Sequence, residues 1–275
     1  YLGSFRDLVM HKVSQFRWVV KPNSETVVHE ALQPAIRFTK EQCLDLPEMT
    51  YVTREVELSP QQHKYYEIMR KDMLMNAAGE QVTTINAAAN LNKLLQLSGG
   101  AVYSDTGEVV AFDANNRLSV LKEVIDETSH KVLVFVPFRH TIDIVAEELS
   151  KHYTVDVIHG GISAGKRTEI FKRFQEDKDP RVLVIQPQAA SHGVTLHAAD
   201  TIVYWSPVMS VETYLQANAR VHRAGQKNKC TVFHLQGSPV ERRLYKMLQE
   251  KVDVHTKRSE EHTSELQSRG LISYA

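Results

Sequence analysis

The stretch Lys131-Val-Leu-Val-Phe-Val136 decides the fold, because it is a continuous apolar run of the kind that forms a strand buried on both faces of a parallel sheet. Shorter apolar runs follow it, and stretches with helical periodicity separate them. The predicted strands after the first are 155–158, 182–185, 201–204 and 230–235. Strands and helices that alternate at these lengths form right-handed βαβ units. We therefore predict an α/β fold with a doubly wound parallel sheet.

The helices of this α/β part are predicted at 117–127, 141–151, 164–175, 211–224 and 239–252. Upstream we expect a mainly helical region, because Ser59-Pro60 is a good helix start and Gly99-Gly100 a good helix end. That region contains a strand over 52–58, helices over 61–75 and 84–97, and a hairpin over 101–112. We assign residues 51–116 to the helical region and residues 117–257 to the α/β lobe.

Composition bounds the class of protein. The chain has 275 residues, 42% of them hydrophobic and 24% charged, which is typical of a globular protein with a sizeable core. Its formal net charge is zero, so any contact with nucleic acid must come from a local patch. Cys43 and Cys230 have neither metal-ligand spacing nor a disulfide pattern. No apolar run is long enough to span a membrane, and no signal peptide is visible. We expect a cytoplasmic protein without a membrane partner or a metal site.

Two arginines stand three residues apart in the segment Gln216-Ala-Asn-Ala-Arg220-Val-His-Arg223-Ala-Gly225-Gln226. If the predicted helix continues to Ala224, positions i and i+3 share one face, so Arg220 and Arg223 can reach one target. Gly225 then supplies the helix stop. Two planar, permanently charged groups suit a polyphosphate, on which charge builds up during phosphoryl transfer. The alternative is an ordinary solvated basic face.

The order Gln-x-x-x-Arg-x-x-Arg-x-Gly-Gln resembles motif VI of the Swi/Snf-type DNA translocases of helicase superfamily two. The resemblance covers about residues 30–257, and residues 37–47 are similar to the end of the first lobe in that family, although an ordinary short strand would also fit them. It implies that residues 117–257 form a RecA-like second lobe. It also implies that Arg220 and Arg223 are catalytic fingers that reach ATP on the first lobe, where the Mg²⁺ is held.

Residues 186–196 resemble motif V, although only the last Gly and Leu of the family pattern match directly. Small and polar residues at the end of a strand let a backbone approach a phosphate or a ribose. The resemblance implies that Gly193 and Gln216 bind the nucleotide together with the two arginines. It also implies that Ser191 contacts DNA.

Two further basic stretches are predicted to contact DNA. Arg139 and His140 follow the strand 131–136 at its carboxyl end, where open α/β sheets bind ligands, although a solvated loop is the alternative. Lys166 and Arg167 follow a glycine-rich turn and can hold a backbone phosphate at a helix N-terminus. This turn nearly matches a P-loop, the mark of an independent phosphotransferase, but Arg167 stands where the magnesium-binding hydroxyl is needed.

These patterns predict the C-terminal lobe of an ATP-dependent DNA helicase or translocase. Its expected cofactors are ATP and Mg²⁺, and its partners are double-stranded DNA and the first lobe of the same polypeptide. The alternative is a stand-alone nucleic-acid-binding or regulatory lobe without ATPase activity, against which the arginine pair argues.

The two ends of the chain lead to separate expectations. The chain starts with Tyr1, and no convincing P-loop or acidic box is found. Residues 1–50 are therefore interpreted as the end of an incomplete first lobe, and the fragment alone as inactive. The sequence of motif VI is most similar to that of bacteriophage or bacterial members of the Swi/Snf family. Residues 258–275 lack an apolar period, as a disordered tail does, and are also interpreted as a translated sequencing adapter.

Overall fold

The computed structural model describes residues 2–15, 17–33, 45–79, 84–104, 107–191 and 193–268. The chain divides into two compact units, residues 1–43 with 266–275 and residues 44–265. Most of the predicted lobe-ending segment at 37–47 lies outside the described residues. No helix in the described ranges is long and apolar enough to cross a membrane.

In the first unit, helices precede and follow a β-hairpin. Its elements are α1 (Leu2–Val9), β1 (Met10–Ser14), β2 (Arg17–Val20) and α2 (Ser24–Leu32). The two strands pair antiparallel, with Met10 opposite Val20. Trp18 of β2 receives the guanidinium of Arg6 at 3.9 Å from its ring centroid, a cation–π contact that ties α1 to the hairpin.

The second unit begins with a strand and the predicted mainly helical region. Its first elements are β3 (Met49–Glu55), α3 (Pro60–Gly79), α4 (Thr84–Ser98), β4 (Ala101–Tyr103) and β5 (Val109–Ala111). Ser59 and Gln62 cap α3 reciprocally, because the backbone N–H of each donates to the side chain of the other, at 3.0 and 3.3 Å. The predicted hairpin is confirmed, since β4 and β5 pair antiparallel.

A six-stranded parallel sheet forms the centre of this unit. Its further elements are α5 (Asn115–Glu127), β6 (Lys131–Phe135), α6 (Arg139–Ser150), β7 (Val155–Ile158), α7 (Ala164–Glu176), β8 (Val182–Ile185), a 3₁₀ turn (Pro187–Ser191), β9 (Ala199–Tyr204), α8 (Val211–Val221), β10 (Cys230–Gln236) and α9 (Pro239–Ser268). The strand order is β3-β10-β9-β6-β8-β7, and every neighbouring pair is parallel. The predicted doubly wound α/β fold is therefore confirmed.

Helices cover both faces of the sheet. Leu133 and Phe135 of β6 point into a core formed with α7, α8 and α9. Val132 and Val134 point the other way, into a core formed with α5 and α6. All four side chains are fully buried. A strand buried on both faces needs apolar residues at every position, which is why β6 reads as a continuous apolar run.

Two elements differ from the sequence-based prediction. The strand at 52–58 was assigned to the helical region, but β3 is the edge strand of the central sheet, with Met49 opposite Cys230. The prediction that the last helix ends at 252 is wrong, because α9 continues to Ser268, whereas the interpretation of residues 258–275 as an adapter-derived tail stays a prediction. Helix-forming Glu, Leu and Gln residues without Gly or Pro extend α9.

Candidate functional site

The arginine segment begins as predicted but leaves the helix earlier. Ser210 caps α8, since its hydroxyl accepts from the backbone N–H of Thr213 at 3.2 Å. The helix ends at Val221, and His222 is its C-cap with φ −83° and ψ 77°. Arg220 therefore lies in the last helical turn, and Arg223 lies beyond the helix. The prediction that they share one face of a helix reaching Ala224 is wrong.

The two arginines nevertheless lie close together. Burial lowers the pKa of the Arg220 guanidinium below its usual value, and the positive charge of Arg223 lowers that pKa further. The backbone N–H of Arg223 donates to the carbonyl of Val221 at 3.0 Å, so the chain folds back directly after the helix. A tight turn thus brings together two guanidinium groups that a continuous helix was expected to align.

Gln226 fixes the shape of that turn. Its side chain is buried, and its Nε2 donates to the carbonyls of Ala199 at 2.8 Å and of His197 at 3.2 Å. Its Oε1 accepts from the backbone N–H of Lys227 and of Asn228, both at 3.0 Å. One carboxamide therefore satisfies backbone groups on two loops. It holds the turn of residues 221–226, called the arginine turn below, against the loop before β9.

The loop before β9 is the predicted motif V region, and it contacts the arginine turn directly. The backbone N–H of Leu196 donates to the carbonyl of Arg220 at 2.8 Å, and Arg223 Nη1 reaches the carbonyl of Gly193 at 3.5 Å. Gly193 has φ +61°, in the left-handed region that favours glycine, and a Cβ built on it would meet no atom within 4 Å. The backbone at Gly193 is thus open to a ligand beside both arginines.

The structure says less about the roles of Gln216 and Ser191, the other predicted residues of this region. Gln216 lies one turn before Arg220 on α8, and its Nε2 donates to Glu212 Oε1 at 3.0 Å. Ser191 ends the 3₁₀ turn, and its role in DNA contact stays a prediction. Within the described residues, no His, Cys, Asp and Glu side chains form a group of three that could hold a metal ion.

A second basic group lies at the carboxyl ends of β6 and β7. Arg139 is the exposed first residue of α6 and pairs with Asp143. Lys166 is exposed in the first turn of α7, and Arg167 donates through Nη2 to the carbonyl of Ile162 at 3.2 Å.

His159 links the two parts of this basic group, and sequence reasoning missed it. Burial lowers the pKa of His159, and the charges of Arg139 and Arg167 lower it further, so both arginines lie near its ring. Gln186 joins the same strand ends, because its Oε1 accepts from the N–H of Gly160 and its Nε2 donates to the carbonyl of Pro137, both at 3.4 Å.

His140 does not belong to this basic group, and its prediction as a DNA contact is wrong. Its side chain is buried, with 7% exposed, and its Nε2 donates to the carbonyl of Ala101 at 2.8 Å. Burial also lowers the pKa of His140, which favours the uncharged ring. The ring joins α6 to the β4–β5 hairpin, where its Nε2 is already bound to a backbone carbonyl.

A buried ion pair joins the lobe to its last helix. Arg117 at the start of α5 and Glu241 at the start of α9 are 2% and 0% exposed, and Arg117 Nη2 lies 2.8 Å from Glu241 Oε2. The same oxygen accepts from the backbone N–H of Ser238 at 3.1 Å, which is half of a capping box. The cap is a local pattern of residues 238–241, whereas Arg117 stands 124 positions away in the chain.

Comparison with known proteins places these residues in a family context. Residues 116–225 match the model of the helicase conserved C-terminal domain, and all the predicted site residues fall within that match. Among curated relatives, the CHD3-type chromatin-remodeling factor PICKLE of Arabidopsis thaliana is 24% identical, covering 86% of this chain and 18% of its own length. The mouse chromodomain-helicase-DNA-binding protein 1-like is 26% identical, covering 90% and 29%. The chain thus spans less than a third of these relatives.

Solved structures show the same fold. The C-terminal part of the Fun30 ATPase domain superposes with a TM-score of 0.61 at 19% identity, covering 74% of this chain and 90% of that one. The Sulfolobus solfataricus SWI2/SNF2 ATPase core in complex with dsDNA gives a TM-score of 0.60 at 19% identity, covering 84% and 51%. The relatives named here are from a plant and a mouse, so bacterial or phage origin stays a prediction. Residues 116–225 thus match a helicase conserved C-terminal domain, and the chain has the RecA-like fold seen in SWI2/SNF2 C-terminal ATPase domains.

Proposed function

We propose that this chain is the C-terminal lobe of an ATP-dependent DNA translocase of the Snf2 type, in which Arg220 and Arg223 reach ATP bound by a first lobe. The proposal rests on the hydrogen bonds that join the arginine turn to the loop before β9. Arg220 in the last turn of α8 and Arg223 in the following turn, which Gln226 fixes, lie close together next to the open backbone of Gly193. This is an arrangement for binding an anion that arrives from outside the lobe.

The residues present fit a polyphosphate. Burial lowers the pKa of Arg220, and the positive charge of Arg223 lowers it further, so an anion between the two guanidinium groups would relieve their repulsion. Guanidinium groups bind phosphoryl oxygens through paired hydrogen bonds and stabilise charge that develops during transfer. ATP with its Mg²⁺ supplies the phosphoryl group. The role of this chain is to hold Arg220 and Arg223 next to that phosphoryl group when the two lobes close.

The basic group at the carboxyl ends of β6 and β7 supports duplex DNA as the partner. Arg139 begins α6, and Lys166 and Arg167 lie in the first turn of α7, where Lys166 is exposed to solvent. A helix N-terminus and nearby cations bind backbone phosphates without reading sequence. Because the formal net charge of the chain is zero, this local group and not a global field has to supply the attraction.

The test uses the polypeptide that carries this chain together with a P-loop lobe. Arg220→Lys and Arg223→Lys keep a positive charge but lose the planar group, so DNA-stimulated ATP turnover should fall roughly a thousandfold, or about 4 kcal/mol in the barrier. Arg243→Lys is the matched control, because Arg243 is an exposed arginine on α9. Thermal melting of each variant reports whether the lobe stays folded.

The outcomes separate the two candidate functions. Loss of turnover at unchanged melting temperature supports fingers, whereas loss of melting temperature with turnover per folded molecule intact means that the arginines only stabilise the fold. If both lysine variants turn over ATP at the control rate, the translocase proposal is wrong. A DNA-binding lobe without ATPase activity, which the group around Arg139 and Lys166 would also suit, then becomes the better account.

A further inference from the structure

The chain that enters the second unit passes directly under the arginine turn. His222, which stands between the two arginines, has its Nε2 2.7 Å from the carbonyl oxygen of Pro47. A carbonyl only accepts, so Nε2 carries the hydrogen and donates it. Eight residues later the backbone N–H of Cys230 donates to the carbonyl of Glu48 at 2.9 Å. The residue between the two arginines and the first residue of β10 are therefore hydrogen-bonded to two adjacent residues, Pro47 and Glu48.

The ring of His222 is held from its own side as well. Its backbone N–H donates to the carbonyl of Asn218 at 3.0 Å, which closes the end of α8. Asn218 is buried, and its Oδ1 accepts from the hydroxyl of Tyr204 at 2.9 Å, so the helix end is anchored to β9. The hydrogen bond to Pro47 is then a link between a fixed helix end and the segment that leads into β3.

We infer that His222 is a positioning residue for Arg220 and Arg223, and that the segment Pro47–Glu48 sets their placement through it. The inference rests on the proposed function, because the arginines need placing only if they meet a ligand outside the lobe. Replacing the His222–Pro47 bond by a contact without a donor removes one of the hydrogen bonds that place the turn between Val221 and Gln226, while those of Gln226 remain. A displacement of about 1 Å in such a group costs up to a hundredfold in rate.

The experiment compares two replacements of similar size in the two-lobe polypeptide. His222→Met fills the space without a donor, whereas His222→Gln places an amide N–H near the position of Nε2. We expect kcat for DNA-stimulated ATP hydrolysis to fall about tenfold to a hundredfold in His222→Met, with the KM for ATP nearly unchanged, and to recover to within about threefold in His222→Gln. His152→Met, at an exposed histidine beyond α6, is the control for the substitution itself.

A purely structural role gives a different result. It predicts a lower melting temperature in both His222 variants, with turnover per folded molecule at the level of His152→Met. That outcome overturns the inference, and so does an equal loss of kcat in His222→Met and His222→Gln, because the donor would then be irrelevant. Arg220→Lys run in parallel keeps the two hypotheses apart. If Arg220→Lys is inactive and His222→Met is normal, only the positioning role fails, and if Arg220→Lys is normal, the proposed function fails first.

Discussion

The buried pair of Arg117 and Glu241 offers a sharp test of what holds the last helix to the lobe. In Glu241→Gln the side chain keeps its shape and one acceptor oxygen, so the backbone N–H of Ser238 keeps a partner. What the variant removes is the negative charge beside Arg117, whose side chain is 2% exposed. Its other contacts, a donation to the carbonyl of Trp205 and a cation–π contact with the Trp205 ring at 5.6 Å, do not neutralise Arg117.

The magnitude follows from that burial. Removing one partner of a buried ion pair costs about 3–5 kcal/mol, because the other charge is left without compensation. The retained hydrogen bonds place Glu241→Gln near the lower end, at about 3 kcal/mol of lost unfolding free energy. Removing both charges in Arg117→Met/Glu241→Gln should restore about 2 kcal/mol relative to the single variant, since directly contacting residues couple by such amounts.

Urea unfolding of the 275-residue chain, followed by far-ultraviolet circular dichroism, measures these free energies. Glu55→Gln is the matched control, because Glu55 pairs with Arg242 at 2.7 Å on the surface, where both side chains are about half exposed. An exposed pair contributes no more than about 1 kcal/mol. If Glu241→Gln loses no more than this control, or if the double variant is as unstable as the single one, the buried charge is not what makes the position sensitive.

Three further predictions concern separate parts of the lobe. In Gly237→Ala the new Cβ would lie 2.3 Å from the backbone oxygen of Val56, so urea unfolding should show a loss of about 1–3 kcal/mol, whereas Gly165→Ala, with no atom within 4 Å, should show none. Burial lowers the pKa of His234 from 6.5 to about 4. Between these two pH values the unfolded chain binds a proton on His234 that the folded protein does not bind. The free energy of unfolding therefore decreases as the pH falls from about 6.5 to about 4. Between pH 7 and pH 5 the wild type should lose about 2 kcal/mol more than His234→Phe, and equal pH curves for the two proteins would contradict the assignment. Lys166→Ala/Arg167→Ala should weaken duplex binding and reduce its salt slope by about 2, measured by fluorescence anisotropy, whereas Lys172→Ala on the same helix should leave the slope near that of the wild type.

The fold could be predicted from sequence because its signals are local. A buried strand such as Lys131–Phe135 is an apolar run bounded by polar turns, and a helix such as α5 has its own periodic apolar stripe. Strand pairing is not local. The alternation over 52–58 predicted a strand, but its pairing with β10 joins residues about 180 positions apart. No pattern in either strand identifies the other as its pairing partner.

The candidate site was predictable in its residue types and not in its geometry. The spacing of Arg220 and Arg223 indicated a shared target, and the structure brings them together, but by a turn and not by a helix face. The helix ends early because Gln226 and His222 bind backbone carbonyls of distant segments. His140 was misplaced for the same reason, since its partner Ala101 lies 39 residues earlier.

The placement of β3 has a mechanical consequence. Its residues Met49–Glu55 run in parallel register with Cys230–Gln236, so the strand entering the lobe is itself a structural member of the sheet. A pull on the chain ahead of Met49 acts along the strand axis, and the ladder of hydrogen bonds between β3 and β10 bears it in shear, all at once. Such a joint does not unzip one bond at a time. It transmits the force to the start of β10, which lies directly after the arginine turn.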